Sequence, residues 1–169
     1  MAYTLSAMAD DIRAALAEGT ARDCAGALCA IVSRALNDRA FVARHLPDRA
    51  RGESAREMLF EDPELGFCIC GHVYEGAAAT GPHDHGSSWA IYGQAEGVTE
   101  MTDWKIVKQG EGDAPSLVEP ARTYRLAPGD AHFYDVGDVH SPKRDTATRL
   151  IRVEGANLDR VTRSRIEAA

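Results

Sequence analysis

The run TGPHDHGSSWAIYGQAEG, Thr80 to Gly97, concentrates the side chains best suited to chemistry. His83 and His85 stand one residue apart, just after Gly81-Pro82. In an extended chain, residues i and i+2 point the same way. Two imidazoles would then aim at one point, with Asp84 facing away. Neutral imidazole nitrogens at that spacing can share one divalent metal ion. A third ligand must come from elsewhere in the fold, and the candidates are His45, His72, His132 and His140. His140 is the best placed. It closes the run LAPGDAHFYDVGDVH, in which a Pro128-Gly129-Asp130 turn leads into a strand and then a Gly137-Asp138 turn.

Other polar side chains share strand parity with these positions. Tyr92 and Gln94 alternate with Ala90, so they either orient a substrate inside a barrel or pack. Arg152 and Glu154 in TRLIRVEG share a face with Leu150, and we place that face inside. His72 in CICGHVY is read as a hydrogen-bonded strand histidine that can line the pocket. His132 lies two residues before Tyr134, as a partner of the site or as buried structure. His45 falls at a helix end, where a charged imidazole favours the dipole. Trp89 and Trp104 read as core or helix-contact residues. Of the four cysteines, Cys68 and Cys70 share one strand face, no CxxC pair is present, and packing is the expected role.

The elements that must hold these residues follow from periodicity. Leu5, Met8, Ile12 and Leu16 recur at helical spacing until Gly19. Cys24, Leu28, Ile31 and Ala35 repeat the pattern, and Asn37-Asp38 breaks it. A short third helix carries Phe41, Val42 and His45 before Pro47. These helices, within residues 1–50, are apolar on one side and should pack on a sheet. From residue 58 to 157 the texture is β: MLFED, GFCICGHVYEG, SSWAIYGQAEG, VTEMTDWKIVKQG, SLVEPARTYRLAPGD, AHFYDVGDVH and TRLIRVEGAN, punctuated by Gly, Pro and Asp. No βαβ alternation is present, which argues against a parallel Rossmann-like sheet. Asp159 to Ala169 reads as a short helix or a tail.

Composition narrows the partners. The 169 residues are 44% hydrophobic and 27% charged, which suits one domain with a real core. A net charge of −7 argues against nucleic acid and anionic membrane surfaces. No apolar run approaches the roughly 18 residues a membrane span needs. The N-terminus has acids early and no basic segment before an apolar block, so it does not read as a signal peptide, and the expected compartment is the cytoplasm. An open barrel edge would allow a homodimer.

The two histidine stretches together resemble the cupin family across residues 58 to 157. His83 and His85 fill the HxH of that family's first motif, and Gly97 fits its closing glycine. Ala77 stands at its first glycine and Ala90 at its glutamate. In the second motif, Gly137 and His140 match, while Asp135 stands for Pro and Arg144 for Asn. The resemblance implies a double-stranded β-helix barrel with an N-terminal helical segment, mainly β, and a metal held by His83, His85 and His140.

The missing glutamate leaves three neutral ligands and a metal with its full charge, ready for an anionic bidentate ligand. Within the cupins this most resembles the cysteine dioxygenase-like group of thiol dioxygenases. That resemblance implies Fe(II), with a small thiol or carboxylate substrate and O2 sharing the open positions, and a sulfinic acid as product. Tyr92 and Arg152 are the candidate catalytic side chains. The chain departs from that group at LIRVEGANL, Leu150 to Leu158, which lacks its Ser-His-Tyr relay. The place of its carboxylate-gripping arginine holds Arg51, Arg56 and Glu57. The alternatives are a Zn, Mn or Ni cupin acting as a Lewis acid in isomerisation or hydrolysis, and a non-enzymatic small-molecule-binding cupin.

Overall fold

The computed structural model describes residues 3–49, 53–112 and 114–169, so Arg51 lies outside the described residues. Three helices come first. Helix α1 (Leu5–Ala17) starts where the Thr4 hydroxyl accepts the Ala7 amide at 3.1 Å, and it buries Met8 and Ile12. Helix α2 (Ala25–Leu36) buries Leu28, Val32, Ala35 and Leu36. Its buried stripe runs through Val32, with the expected Ile31 only half-buried. Helix α3 (Arg39–His45) begins at Asp38, whose carboxylate accepts the Ala40 and Phe41 amides.

The strands follow in chain order: β1 (Arg56–Glu61), β2 (Cys68–Tyr74), β3 (Ala78–Ala79), β4 (Ala90–Glu96), β5 (Thr99–Lys108), β6 (Ser116–Leu126), β7 (Ala131–Tyr134), β8 (Val139–Arg144), β9 (Thr148–Glu154) and β10 (Ile166–Ala168). They form two five-stranded sheets, ordered β1-β2-β9-β4-β7 and β10-β6-β5-β8-β3. Pairings are antiparallel except β10 on β6. Side chains of both sheets meet between them. Ala90, Tyr92 and Tyr134 from the first pack with Met101 and Leu126 from the second, and the Tyr124 and Tyr134 hydroxyls bond at 2.5 Å. The architecture is a mainly-β double-stranded β-helix with an N-terminal helical segment.

Strand parity decides which face each residue serves. Ile69, Ile91, Ile151 and Val153 join Met8, Ile12, Leu28, Val32 and Phe41 in one apolar cluster, so the helices cover the outer face of the first sheet. That cover explains why β2, β4 and β9 are buried almost throughout, on both faces. The alternate residues face the interior. Cross-strand register there aligns Cys70, Arg152, Tyr92 and His132 in one row, and Cys68, Glu154, Ala90 and Tyr134 in the next. Gly93 lets α2 close on β4. A Cβ there would stand 2.4 Å from Val32 Cγ1 and 2.9 Å from Leu36 Cδ1.

Two expectations change. His83 and His85 do not sit in a continuous strand. His83 makes a lone antiparallel bridge to His140, and the residues after it are irregular up to β4. Asp159 to Ala169 is neither a helix nor a tail. After a 3₁₀ turn at Leu158–Arg160, the chain returns across the barrel and adds β10 alongside β6. The Gly86 turn (φ 59°) fits beneath this segment, where a Cβ would come within 2.3 Å of the Thr162 carbonyl. Both differences have one cause: backbone groups here pair with distant segments, and local periodicity carries no trace of such pairing.

Candidate metal centre

Backbone pairing brings the three histidines together. His83 N–H donates to the His140 carbonyl at 3.0 Å, and His140 N–H donates back at 3.0 Å. Such reciprocal pairs place both side chains on the same side of the ladder. His85 follows in the irregular turn, which Asp84 fixes. Its carboxylate accepts the Gly86 and Ser164 amides, each at 3.1 Å. Ring centroids of His83 and His85 each lie 4.8 Å from His140. One ring nitrogen from each histidine falls within 4.8 Å of the others. A metal–imidazole bond of ~2.0–2.1 Å would require the three rings to draw inward from this spacing.

The protonation state suits ligation. His83 Nδ1–H donates to the Gly81 carbonyl at 2.9 Å, which leaves Nε2 as its lone-pair atom. The Nε2 atoms of His85 and His140 converge on the Tyr92 hydroxyl at 3.3 and 3.4 Å. Burial lowers the pKa of His83, with the nearby Arg163 and Arg152 adding to the effect. Burial, then the neighbouring His140, depresses His85 strongly. Burial, then His83, pushes His140 down to about 3. Three neutral imidazoles are the form that binds metal. The donor set therefore fits a divalent ion, and among the described residues no carboxylate joins the cluster.

Tyr92 is fixed from below. Arg152 Nη1 donates to its hydroxyl at 3.2 Å, and Arg152 Nε donates to Glu154 at 2.6 Å. Glu154 is fully buried and also accepts from Arg56 at 3.0 Å. Arg152 and Glu154 thus lie on the interior face, as expected. Desolvation opposes the charge of Arg152, but the Tyr92 and Glu154 contacts outweigh it and raise its pKa. Tyr134 stacks on His140 with centroids 4.0 Å apart. Gln94 has a structural bond instead, accepting from Thr99 at 2.8 Å. His132 packs between Tyr124 and Tyr134 and His45 on Phe41, so neither joins the cluster. Trp89 packs against the helix-covered core and Phe133, and Trp104 Nε1–H donates to Ser141 at 2.8 Å. The four cysteines are free thiols.

A cavity of about 360 Å³ opens beside the cluster. It meets His83 and Tyr92, and its walls include His72, Tyr74, Arg144 and Arg163. His72 lines it as the pocket alternative anticipated, with Tyr74 Oη 3.5 Å from its Nδ1. Arg144, Arg163 and Tyr74 are site residues the sequence reading missed. Arg144 was detectable, because it follows His140 by four residues on one strand and so shares its face. Arg163 was not, because its place depends on the long return of the C-terminal segment.

No protein-family model and no curated protein matches the sequence. Solved structures do match. A Klebsiella pneumoniae protein with a double-stranded β-helix domain is 16% identical, with 75% of this chain and 88% of that chain covered and a TM-score of 0.49. A cupin superfamily protein from Desulfitobacterium hafniense is 9% identical, with 65% and 84% covered and a TM-score of 0.47. KdgF from Halomonas sp. is 17% identical, with 63% and 85% covered and a TM-score of 0.46. The similarity to this chain is one of backbone course, and the chemistry of the site rests on the residues described above.

Proposed function

We propose that this chain is a mononuclear metal-dependent dioxygenase that oxidises a small thiol to a sulfinic acid. One observation carries the reading: three neutral imidazoles converge, with no carboxylate among them in the described residues, beside a cavity of about 360 Å³. A metal so held keeps its full charge and favours an anionic thiolate. The reaction balances as RSH + O2 → RSO2H, with sulfur losing four electrons to the two oxygen atoms it gains.

His83, His85 and His140 would hold the metal, with Fe(II) as the expected ion. Bound there, it would activate thiolate and O2 by coordination. The protein's own groups then orient the reactants. The Tyr92 hydroxyl, which accepts from Arg152 Nη1 at 3.2 Å, would hydrogen-bond the substrate or oxygen at the site. Arg152 is a positioning residue, because its guanidinium is committed to Glu154 and Tyr92. Burial of His85 and His140 excludes water behind the cluster.

Oxygen consumption by iron-loaded protein on adding thiols, with sulfinate identified by mass spectrometry, tests the reading. Uptake with a sulfinate product supports it, and its absence across a panel of thiols overturns it. A second reading has its own observation. Leu150, Arg152 and Glu154 stand inward where the thiol dioxygenase relay would be. That favours Zn, Mn or Ni acting as a Lewis acid, and hydrolysis or isomerisation without oxygen uptake would select it.

A further inference from the structure

The turn that carries His85 is tied to the C-terminal return. Among the described residues, positions 84–87 make no ladder pair, so the sheet does not fix them. Asp84, between His83 and His85, is 4% exposed. Its Oδ1 atom accepts two amides, one from Gly86 within the turn and one from Ser164, 80 residues further along the chain. Bonds from N–H groups to a carboxylate are charge-assisted and strong. Gly86 adds a close approach to the same segment. A Cβ there would stand 2.3 Å from the Thr162 carbonyl oxygen and 2.7 Å from Val161 Cγ1. Arg163 reaches the cavity wall that His83 also lines. Residues 161–165 therefore lie over the ligand turn and border the cavity.

Otherwise this span is held at its ends. Upstream, Leu158 is buried and Asp159 pairs with Arg56 at 3.0 Å. Downstream, the Arg165 carbonyl accepts the Ser116 amide at 2.9 Å, and β10 adds three residues to the edge of β6. Between them, Thr162, Arg163, Ser164 and Arg165 are exposed and Val161 is half-buried. A segment with so little buried apolar surface opens at low free-energy cost. Opening would break the bond between Ser164 and Asp84, uncover Gly86 and take Arg163 out of the cavity wall. It would also remove the distant anchor of the turn that presents His85. A metal ion needs its three imidazoles held in one arrangement. Closure supplies part of that hold, and linkage requires that metal binding favour closure by the same factor.

We propose that residues 161–165 form a strap whose closure is coupled to metal binding through Asp84, a positioning residue. The ion closes the strap at the cavity, and the closed strap tightens the metal site. The coupling rests on the three-histidine metal site and not on the thiol reading, so a failed thiol assay leaves it intact.

Cobalt(II) is the probe. Its affinity is read by competition against a chelator, and strap opening by amide hydrogen exchange with and without the ion. In wild type, cobalt should slow exchange at Ser164 about tenfold and leave Gly66, whose amide bonds Asp62 in the turn between β1 and β2, unchanged. Ser164→Pro deletes the donor N–H at an exposed position and keeps the Asp84 charge. It should weaken cobalt binding about tenfold. Asp84→Ala should do at least as much, and the double variant should be no weaker than Asp84→Ala, because both changes break one link. Asp84→Asn keeps an acceptor oxygen without the charge and should retain the slowing at Ser164. If Asp84→Ala does not fold, Ser164→Pro carries the test. Wild-type cobalt affinity in Ser164→Pro, or exchange at Ser164 that cobalt leaves unchanged, overturns the coupling. Additive losses in the double variant do so too, because Asp84 would then act through its charge alone. Failure of wild type to bind cobalt overturns the metal site and the coupling with it.

Discussion

At the scale of single residues, Tyr92 joins the imidazoles to the charge network behind them. Its hydroxyl touches His85, His140 and Arg152. Tyr92→Phe should keep full metal content and lower kcat about a hundredfold, measured by oxygen uptake against elemental analysis. Loss of metal along with activity would instead make the phenol a structural support for the histidines. Glu154 is fully buried between Arg152 and Arg56. Glu154→Gln leaves the buried Arg152 without its carboxylate, while the half-buried Arg56 keeps Asp159, and it should cost about 3–5 kcal/mol in denaturant unfolding. A loss below about 1 kcal/mol would show that water or rearrangement compensates the pair.

At the scale of elements, close approaches between segments hold the site in place. Gly93→Ala puts a methyl group into Val32 of α2, and its strain should cost about 1–3 kcal/mol. Gly86→Ala adds a positive-φ penalty to a clash with the Thr162 carbonyl. It should release the C-terminal segment, seen as faster amide exchange at Ser164, whose amide bonds Asp84. Unchanged exchange there would mean that β10 alone anchors the segment. These elements also mark how far the sequence could be read. Helical spacing of Met8, Ile12 and Leu28 exposed the helices, and alternation exposed β2, β4 and β9 with their inward residues. The HxH pair and the Gly-Asp turn before His140 exposed the cluster. The bridge between His83 and His140 and the return of residues 161–168 stayed hidden. They join segments far apart in sequence, and no short-range pattern encodes that pairing.

At the scale of the whole molecule, buried neutral histidines tie stability to pH. His140 is held at about 3 and His72 well below the ordinary value, chiefly by burial. The unfolded chain therefore takes up protons first as pH falls. Stability of the metal-free protein is full above about pH 6.5 and declines below it, by roughly 1.4 kcal/mol per unit for each such histidine. For His140 the decline extends to about pH 3. Urea unfolding at a series of pH values checks the slope, and a flat profile between pH 6.5 and 4 would contradict it. Metal binding should oppose this loss. A chelator should lower the melting temperature, because an ion at 1,000 times its Kd contributes about 4 kcal/mol to the folded state.

The central claim is that His83, His85 and His140 form one metal site. Elemental analysis of the purified protein and of His85→Ala tests it most directly, with a melting curve confirming that the variant is folded. The account predicts one divalent ion per chain in the wild type, with iron supporting the dioxygenase reading, and its loss in the folded variant. No metal in the wild type after anaerobic reconstitution, or equal metal in the variant, would contradict the account.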